Sequence, residues 1–373
     1  MKKIAWILLL ITFSLGLLTD CTDITQQPKE ESEDNQENQE KSEQPMVLDN
    51  GKEVMRVHYI DVGQGDSTLL EIEGFSILID AGNWKSTEVV DYLKQQEIKN
   101  IDIVVGTHPD ADHIGQLAQV IGEFDVGEVW MSGNSSSSAT FTNALQAIEA
   151  SDTEYVEPRT GDVFDVGSLQ IEVLHPSEIT GSPNEESVSL KMTYGDVGFI
   201  FTGDAGVKEE QEMIDTGIDL NAKILHLGHH GSNTSTSLAF LKAVTPEIAI
   251  YSAGADNSYG HPHAEVIAVV ENEGTEVYGT DVNGTIVIET DGKAYTVNTQ
   301  QEGVPTEGQN RCIDINIASS AELQEISGIG ETYAKAIIDK RPFENIEQLI
   351  DIKGIGQGTL DAIQEQDLAC IGG

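Results

Sequence analysis

The chain has 373 residues, 39% of them apolar, and carries 64 acidic against 20 basic side chains, for a formal net charge of −44. That length allows roughly two domains, each with its own core. So acidic a surface repels nucleic acid and anionic membranes at long range. It excludes binding carried by a broad basic face, and it suits a protein bathed in high salt or exposed outside the cell.

Residues 1–21 open with Met1-Lys2-Lys3 and continue in an apolar run from Ile4 to Leu18. A basic start and an apolar run of about 15 residues fit an export signal better than a membrane span, which needs ~20. An uncleaved anchor is the alternative. The run closes in "LLTDC", which makes Cys21 a candidate lipidation site, although Asp20 stands where a small residue is usual. Residues 22–50 are an acidic linker. Their stretch "QQPKEESEDNQENQEKSEQP" has no apolar side chain and cannot bury a core.

Residues 51–298 alternate strand-like and helix-like segments. "VMRVHYIDV" and "FSILIDAG" form a hairpin-like pair of strands. "STEVVDYLKQQ" has helical spacing, and "IDIVVGTH" is a buried strand. "LQIEVLHP", "VSLKMTY" and "VGFIFTGD" follow as strands. "AKILHLGHH" and "EIAIYSAG" are strands with the helix "TSLAFLKAV" between them. "TEVYGTD" and "GTIVIET" close the block as a last hairpin. Strand pairs early and late, with helices interspersed, predict a mixed α/β layered domain rather than an all-parallel sheet. Residues 299–310 are a polar linker with Gly and Pro.

Residues 311–373 contain an internal repeat. Leu323, Ile326, Gly328, Ile329, Gly330, Ala334 and Ile337 recur at a period of 26 as Leu349, Ile352, Gly354, Ile355, Gly356, Leu360 and Ile363. Each unit is a short helix, a "GIG" turn and a second helix, which predicts a small all-α domain. Cys312 and Cys370 bracket it, and in an exported protein such a pair predicts a disulfide.

The chemistry concentrates in "THPDADHIG", Thr107 to Gly115, just after an apolar run. His108, Asp110, Asp112 and His113 on one tight turn can be aimed at a single point. Two metal ions need more ligands than these four, and further candidates should also sit at strand ends. "IFTGDAG" supplies Asp204, and "LHLGHHGS" supplies His229 and His230.

In these motifs the chain resembles the metallo-β-lactamase superfamily, where an aspartate placed like Asp204 bridges both ions. It is more similar still to the hydrolase domain of the ComEC competence proteins, in "DVGQGDS", "IDAG", "THPDADHIG", "TGD", "HHGS" and "NSYGHP". The resemblance implies an αββα sandwich over residues 51–298. It implies two divalent ions, Zn or Mn, held by His108, Asp110, Asp112, His113, Asp204 and His229. Asp110 stands where the superfamily motif has histidine, and it does so in the ComEC group as well. A carboxylate there makes a harder site that tolerates manganese.

The superfamily's third-motif histidine is missing. That region reads "SPNEESVSL", so Asn184 takes a ligand or substrate-facing role, with Ser187 beside it. His175 lies earlier and is expected to pack or hydrogen-bond. His58 and His226 are expected to be structural and His263 exposed. Asp61, Asp66 and Asp80, with Gln64, lie near strand ends where they can orient ligands. Ser232 and His261 are expected to face substrate. The implied reaction is phosphodiester hydrolysis by metal-activated water. Asp112 would orient that water, and His230 or Ser232 would assist at the leaving oxygen or the phosphate.

The tandem "GIG" units resemble paired helix-hairpin-helix modules of the ComEA kind. Glycine turns let backbone N–H groups reach phosphates, and the following helix N-terminus favours an anion. The resemblance implies DNA contacts at Gly328, Gly330, Lys335, Gly354, Gly356 and Lys353. The tail carries five basic and eleven acidic residues, net −6, so its binding should be weak and steeply salt-dependent. Taken together, the sequence predicts an exported metal-dependent nuclease, secreted or held at the cell surface as a lipoprotein. DNA is the expected partner, and the membrane is met only through an N-terminal lipid or anchor. Two alternatives remain: a hydrolase of small-molecule or cell-wall phosphodiesters, in the manner of phosphorylcholine esterases, and a non-catalytic DNA receptor.

Overall fold

Segments in which both alternating faces are apolar fold here as two stacked sheets. A computed structural model describes residues 53–303 apart from 256, and residues 313–371 apart from 325, 344, 367 and 368. The expected export signal and acidic linker, Cys21 and Cys312 lie outside the described residues. No helix among the described residues is long and apolar enough to cross a membrane.

Fifteen strands build the two large sheets. They are β1 (Met55–Tyr59), β2 (Thr68–Ile72), β3 (Phe75–Ile79), β4 (Asn100–Gly106), β5 (Asp125–Met131), β6 (Glu154–Val156), β7 (Val163–Val166), β8 (Leu169–His175), β9 (Ser189–Tyr194), β10 (Val197–Phe201), β11 (Ile224–His226), β12 (Ile248–Tyr251), β13 (Glu276–Gly279), β14 (Ile286–Thr290) and β15 (Tyr295–Thr299). The first sheet has the order β15-β14-β1-β2-β3-β4-β5-β6, the second β13-β12-β11-β10-β9-β8-β7. Each is half antiparallel and half parallel. The first turns parallel from β3 to β6, the second from β10 to β13.

Period-two alternation places the core. Met55, Val57 and Tyr59 of β1 meet Leu169, Ile171 and Val173 of β8 and Val197, Phe199 and Phe201 of β10 between the sheets. Leu78, Val104 and Val129 point the other way, under α1 (Glu88–Gln95), α2 (Leu117–Glu123) and α3 (Ala139–Ala150). Ile200, Leu225 and Ala249 lie under α4 (Val207–Asp215), α5 (Leu238–Val244) and α6 (Ala264–Asn272). Helices thus cover both outer faces, giving the αββα sandwich.

Two strand pairings differ from expectation. β1 and β3 are not paired, because β2 lies between them and pairs with both. The last hairpin does not form. β13 joins β12 in the second sheet while β14 crosses to β1 in the first, with α7 (Thr280–Asn283) making the turn.

The tail has its own core, and the repeat positions Leu323, Ile326, Ile329, Ala334 and Ile337 with Leu349, Ile352, Ile355, Leu360 and Ile363 fill it. Its elements are β16 (Ile313–Asp314), α8 (Ser320–Leu323), α9 (Glu331–Lys340), α10 (Gln357–Gln366) and β17 (Ala369–Cys370). The two repeats clasp each other reciprocally. A Cβ on Gly328 would meet Cγ2 of Thr359 in α10 at 2.8 Å, and one on Gly354 would meet the Tyr333 hydroxyl of α9 at 2.7 Å. The helices are closed by β16 and β17, a short parallel pair, and Cys370 is disulfide-bonded.

Candidate metal centre

The parallel halves of both sheets send their strand ends to one place, as open α/β sheets do. The turn after β4 carries His108 to His113, the turn after β10 carries Asp204, and the turn after β11 carries His229 and His230. Asp80 follows β3 directly. Asp80, His229 and His230 have φ of 59°, 49° and 58°. This left-handed backbone is costly for residues with a Cβ and is typical of functional turns.

The four histidines share one pattern: each anchors Nδ1 and turns Nε2 inward. Nδ1 of His108 lies 3.1 Å from the Thr107 hydroxyl, and that of His113 2.8 Å from Asp80 Oδ2. Nδ1 of His229 lies 3.0 Å from the Thr234 hydroxyl, and that of His230 3.0 Å from the Ser252 carbonyl. Inward, Asp204 Oδ1 is 3.2 Å from His113 Nε2, while its Oδ2 is 3.6 Å from His108 Nε2 and 3.5 Å from His229 Nε2. Asp112 Oδ2 is 3.5 Å from His230 Nε2, and Asp110 Oδ2 is 3.9 Å from His108 Nε2.

Nε2 of His108, His113 and His230 and Oδ1 of Asp204 are buried with no hydrogen-bond partner in the protein. Leaving such groups unsatisfied is expensive. Two clusters of these groups, His108 with His113 and Asp204, and His113 with His230 and Asp66, bring ligand atoms within 4.8 Å of one another, so the residues fit a metal. Asp204 turns Oδ1 to His113 and Oδ2 to His108 and His229.

The electrostatics fit the same use. Burial lowers the His108 pKa to about 3, and the His113 ring adds to it, so His108 offers a neutral imidazole. Burial disfavours a charged Asp204, yet the His113 and His108 rings hold its carboxyl well below the usual range. Burial, then Asp112, raises the Asp110 carboxyl.

Around this core the structure sorts the expected residues. Asp80 accepts from the Thr107 backbone N–H at 2.8 Å as well as facing His113. Asp66 Oδ1 lies 3.3 Å from His230 Nδ1. Asp61 instead caps the turn at Gly63, with 3.1 Å to its N–H, and lines a separate cleft beside Tyr92. It orients no candidate ligand because its carboxylate serves the turn. Gln64 accepts from Gly254 N–H. The Asn184 amide donates to Asp204 Oδ2 at 3.4 Å.

Ser187 does not face substrate. It is fully buried, accepts from Asp204 N–H at 3.1 Å and donates to the Asn184 carbonyl at 2.7 Å. His175 is buried and joins no metal-capable group among the described residues. His58 and His226 are buried, bonded to Tyr92 and Ser252. His263, expected to be exposed, is buried because its Nδ1 accepts from Asn233 N–H.

A cleft of about 790 Å³ adjoins the centre. His229, Ser232, Tyr259 and His261 line it from the sandwich, and Gly328 and Gly330 from the tail. Lys335 and Lys353 are exposed, as are Gly354 and Gly356. Sequence reasoning missed Thr107, which holds both Asp80 and His108, and the exposed rings Trp84 and Tyr259. A threonine beside a histidine motif carries no signal of its own, and isolated aromatics in loops carry little.

Two helix-flanked mixed sheets, with histidines and aspartates converging from strand ends, define a metal-dependent hydrolase fold with a candidate metal site. Residues 60–255 match the metallo-beta-lactamase superfamily, and the chain belongs to it. Residues 308–366 match the helix-hairpin-helix motif. The chain is 32% identical over 250 residues to ComE operon protein 3 of Bacillus subtilis, covering 62% of this chain and 32% of that protein. It therefore spans about a third of that relative's length. Over 60 residues it is 47% identical to a deoxyribonuclease of Thioalkalivibrio sp., covering 16% of this chain and 17% of that one. Among solved structures, the metallo-beta-lactamase fold protein YhfI of Bacillus subtilis aligns with a TM-score of 0.44 at 14% identity, covering 64% of this chain and all of that one.

Proposed function

We propose that the chain is an exported metal-dependent phosphodiesterase that cleaves DNA, with its helix-hairpin-helix tail holding the substrate. The observation that carries the nuclease reading is the shared cleft, in which His229 and His261 face the glycine turn Gly328–Gly330. A phosphate held by the N–H groups of that turn belongs to the same substrate that reaches the centre. The curated relatives include competence proteins and a deoxyribonuclease, which supports DNA as the polymer.

Within this reading His108, Asp110, His229 and Asp204 would hold one ion, and Asp112, His113 and His230, with Asp204, would hold the other. Ions bound there supply activated water at neutral pH and offset the charge of a phosphodiester. The expected choice between His229 and His230 becomes a division of labour, since each offers an inward Nε2 to a different carboxylate. His230 is then a ligand rather than a proton donor, because its Nδ1 is anchored at the Ser252 carbonyl and its unpartnered Nε2 turns inward. Asp112 fixes one ion and orients the water. Asn184 braces Asp204, and His261 and Ser232 meet the phosphate. The carboxylate Asp110 keeps manganese level with zinc.

The test is hydrolysis of single- and double-stranded DNA and of bis-p-nitrophenyl phosphate with added manganese or zinc. DNA cleavage lost in Asp204→Ala is the expected result. Hydrolysis of the small diester without DNA cleavage under either metal would favour a small-molecule or cell-wall diester. DNA binding with no hydrolysis at all would leave a receptor.

A further inference from the structure

We propose that the cleft over the metal centre takes a single polynucleotide strand, with Trp84 and Tyr259 stacking unpaired bases on either side of Asp110 and Asp112. The substrate chemistry rests on the nuclease reading above. The observations that name the strand and its contacts are separate from it.

A second cleft, of about 650 Å³, is lined by Trp84, Lys85, Asp110, Asp112, Ser258 and Tyr259. Ser258 and Tyr259 line the 790 Å³ cleft as well, so the two clefts adjoin at these residues. Trp84 is 52% exposed and Tyr259 56% exposed. Single exposed aromatics are ordinary. Two that share one cleft with metal-site carboxylates form a pair.

Each ring has one face occupied. Lys85 Nζ sits 4.9 Å from the Trp84 ring centroid. Tyr259 stacks on His261 with centroids 5.8 Å apart and planes 19° from parallel. Among the described residues no other ring or cation stacks on either one, and about half of each residue is exposed to solvent.

The loop that carries Trp84 is tied down through Asn83. Asn83 donates to the Val62 carbonyl at 3.0 Å and accepts from Lys85 N–H at 2.9 Å, and Gln116 donates to the Asn83 carbonyl at 3.2 Å. A Cβ on Gly115 would fall 2.3 Å from the Asn83 carbonyl carbon and from Trp84 N. Only glycine lets the metal-motif loop and the Trp84 loop press together, so the backbone that carries Trp84 is held against the loop of Asp110 and Asp112. On the other side, Asn257 Oδ1 accepts from the backbone N–H groups of Tyr259 at 3.1 Å and His261 at 3.0 Å.

The charge balance selects this binding mode. With 64 acidic and 20 basic residues, the protein has few cations with which to release counterions from a phosphate backbone. Affinity must then come from contacts that do not need net positive charge. Base–aromatic stacking is such a contact and tolerates any sequence. It requires exposed base faces, which a duplex hides within its own stack. A single strand is therefore the substrate these platforms fit.

The test uses the full chain with a thymidine oligonucleotide of about 20 residues, a blunt duplex of the same length, and the variants Trp84→Leu and Trp84→Phe. Trp130 is buried, so quenching that disappears in Trp84→Phe reports Trp84. The oligonucleotide is expected to quench wild-type emission. Its KM is expected to rise about tenfold in Trp84→Leu and to recover in Trp84→Phe, as loss and return of one stacked base predict. A KM in Trp84→Leu within twofold of wild type, or a duplex that quenches and is cleaved equally well, overturns the proposal. Quenching without cleavage of any diester would sink the phosphodiesterase reading and leave this one standing. DNA cleavage with no quenching would do the reverse.

Discussion

Asp80 Oδ2 lies 2.8 Å from Nδ1 of His113. The same carboxylate accepts from the N–H and the hydroxyl of Thr107, each at 2.8 Å. A carboxylate at Nδ1 keeps the proton on that nitrogen and leaves Nε2 free for a metal. Asp80→Asn replaces an acceptor with an amide that can present its own N–H, pushing the imidazole toward the other tautomer. Asn tolerates the left-handed backbone at this position (φ 59°), so the loop should keep its shape. Metal affinity is expected to fall about 10- to 100-fold. Calorimetric titration with manganese checks this, and an unchanged affinity would show that Asp80 serves the fold alone.

Asp110 is a hard carboxylate where an imidazole is usual, and it is the most exposed ligand of the motif, with 48% of its side chain accessible. An imidazole fits there without repacking a core. Asp110→His is expected to shift preference toward zinc, by about tenfold in the ratio of zinc to manganese affinity. Competition titration of the two metals measures that ratio. If it does not move, Asp110 is not coordinating.

Glu186 is 5% exposed and braces the loop that carries Asn184 and Ser187. It accepts from Asn134 Nδ2 at 2.8 Å, from Gly181 N–H at 3.1 Å, and from the N–H and hydroxyl of Thr180. Burial alone would raise its pKa, yet these donors hold it at about 2. A folded pKa below the unfolded value means stability that is present above pH ~4.3 and lost as pH falls toward 2. Glu186→Gln should cost about 1.5–3 kcal/mol at pH 6, the range for hydrogen bonds to a charged group. The gap to wild type should narrow below pH ~4. Urea unfolding at pH 6 and pH 3 gives both numbers. A gap that does not change with pH would mean that the charge is not what holds the loop.

The same loop shows what the sequence made legible. His108, Asp110, Asp112, His113 and Asp204 lie at turns after apolar strands, and that pattern survives as spacing in one dimension. The residues that hold them do not announce themselves. Thr107, Ser187 and Asn134 act through hydrogen bonds made only after distant strands pair. Strand pairing was legible in part. The apolar runs of β1, β3, β4 and β10 stood out, whereas β2 follows directly on the polar turn of "DVGQGDS", so its place between β1 and β3 was hidden. β13 and β14 are separated by a few residues in sequence but lie in different sheets, a choice set by which core each apolar face joins. The tail was plain, because its repeat positions are its core positions.

That repeat supports a last prediction. Gly328 adopts φ 74°, and a Cβ there would meet Thr359 Cγ2 at 2.8 Å. Gly328→Ala therefore carries two costs. The left-handed backbone costs about 1–2 kcal/mol for a residue with a Cβ, and the overpacking typically adds 1–3 kcal/mol. The two can be separated. Thr359→Ser deletes Cγ2 and relieves the clash, but leaves the backbone cost. In the Gly328→Ala background, Thr359→Ser is expected to regain about 1–2 kcal/mol, read as hydrogen-exchange protection over residues 313–371 of the full chain. If Thr359→Ser is no better in that background than alone, the two hairpins do not clasp through these residues. The turn that faces the metal centre would then owe its shape to its own repeat.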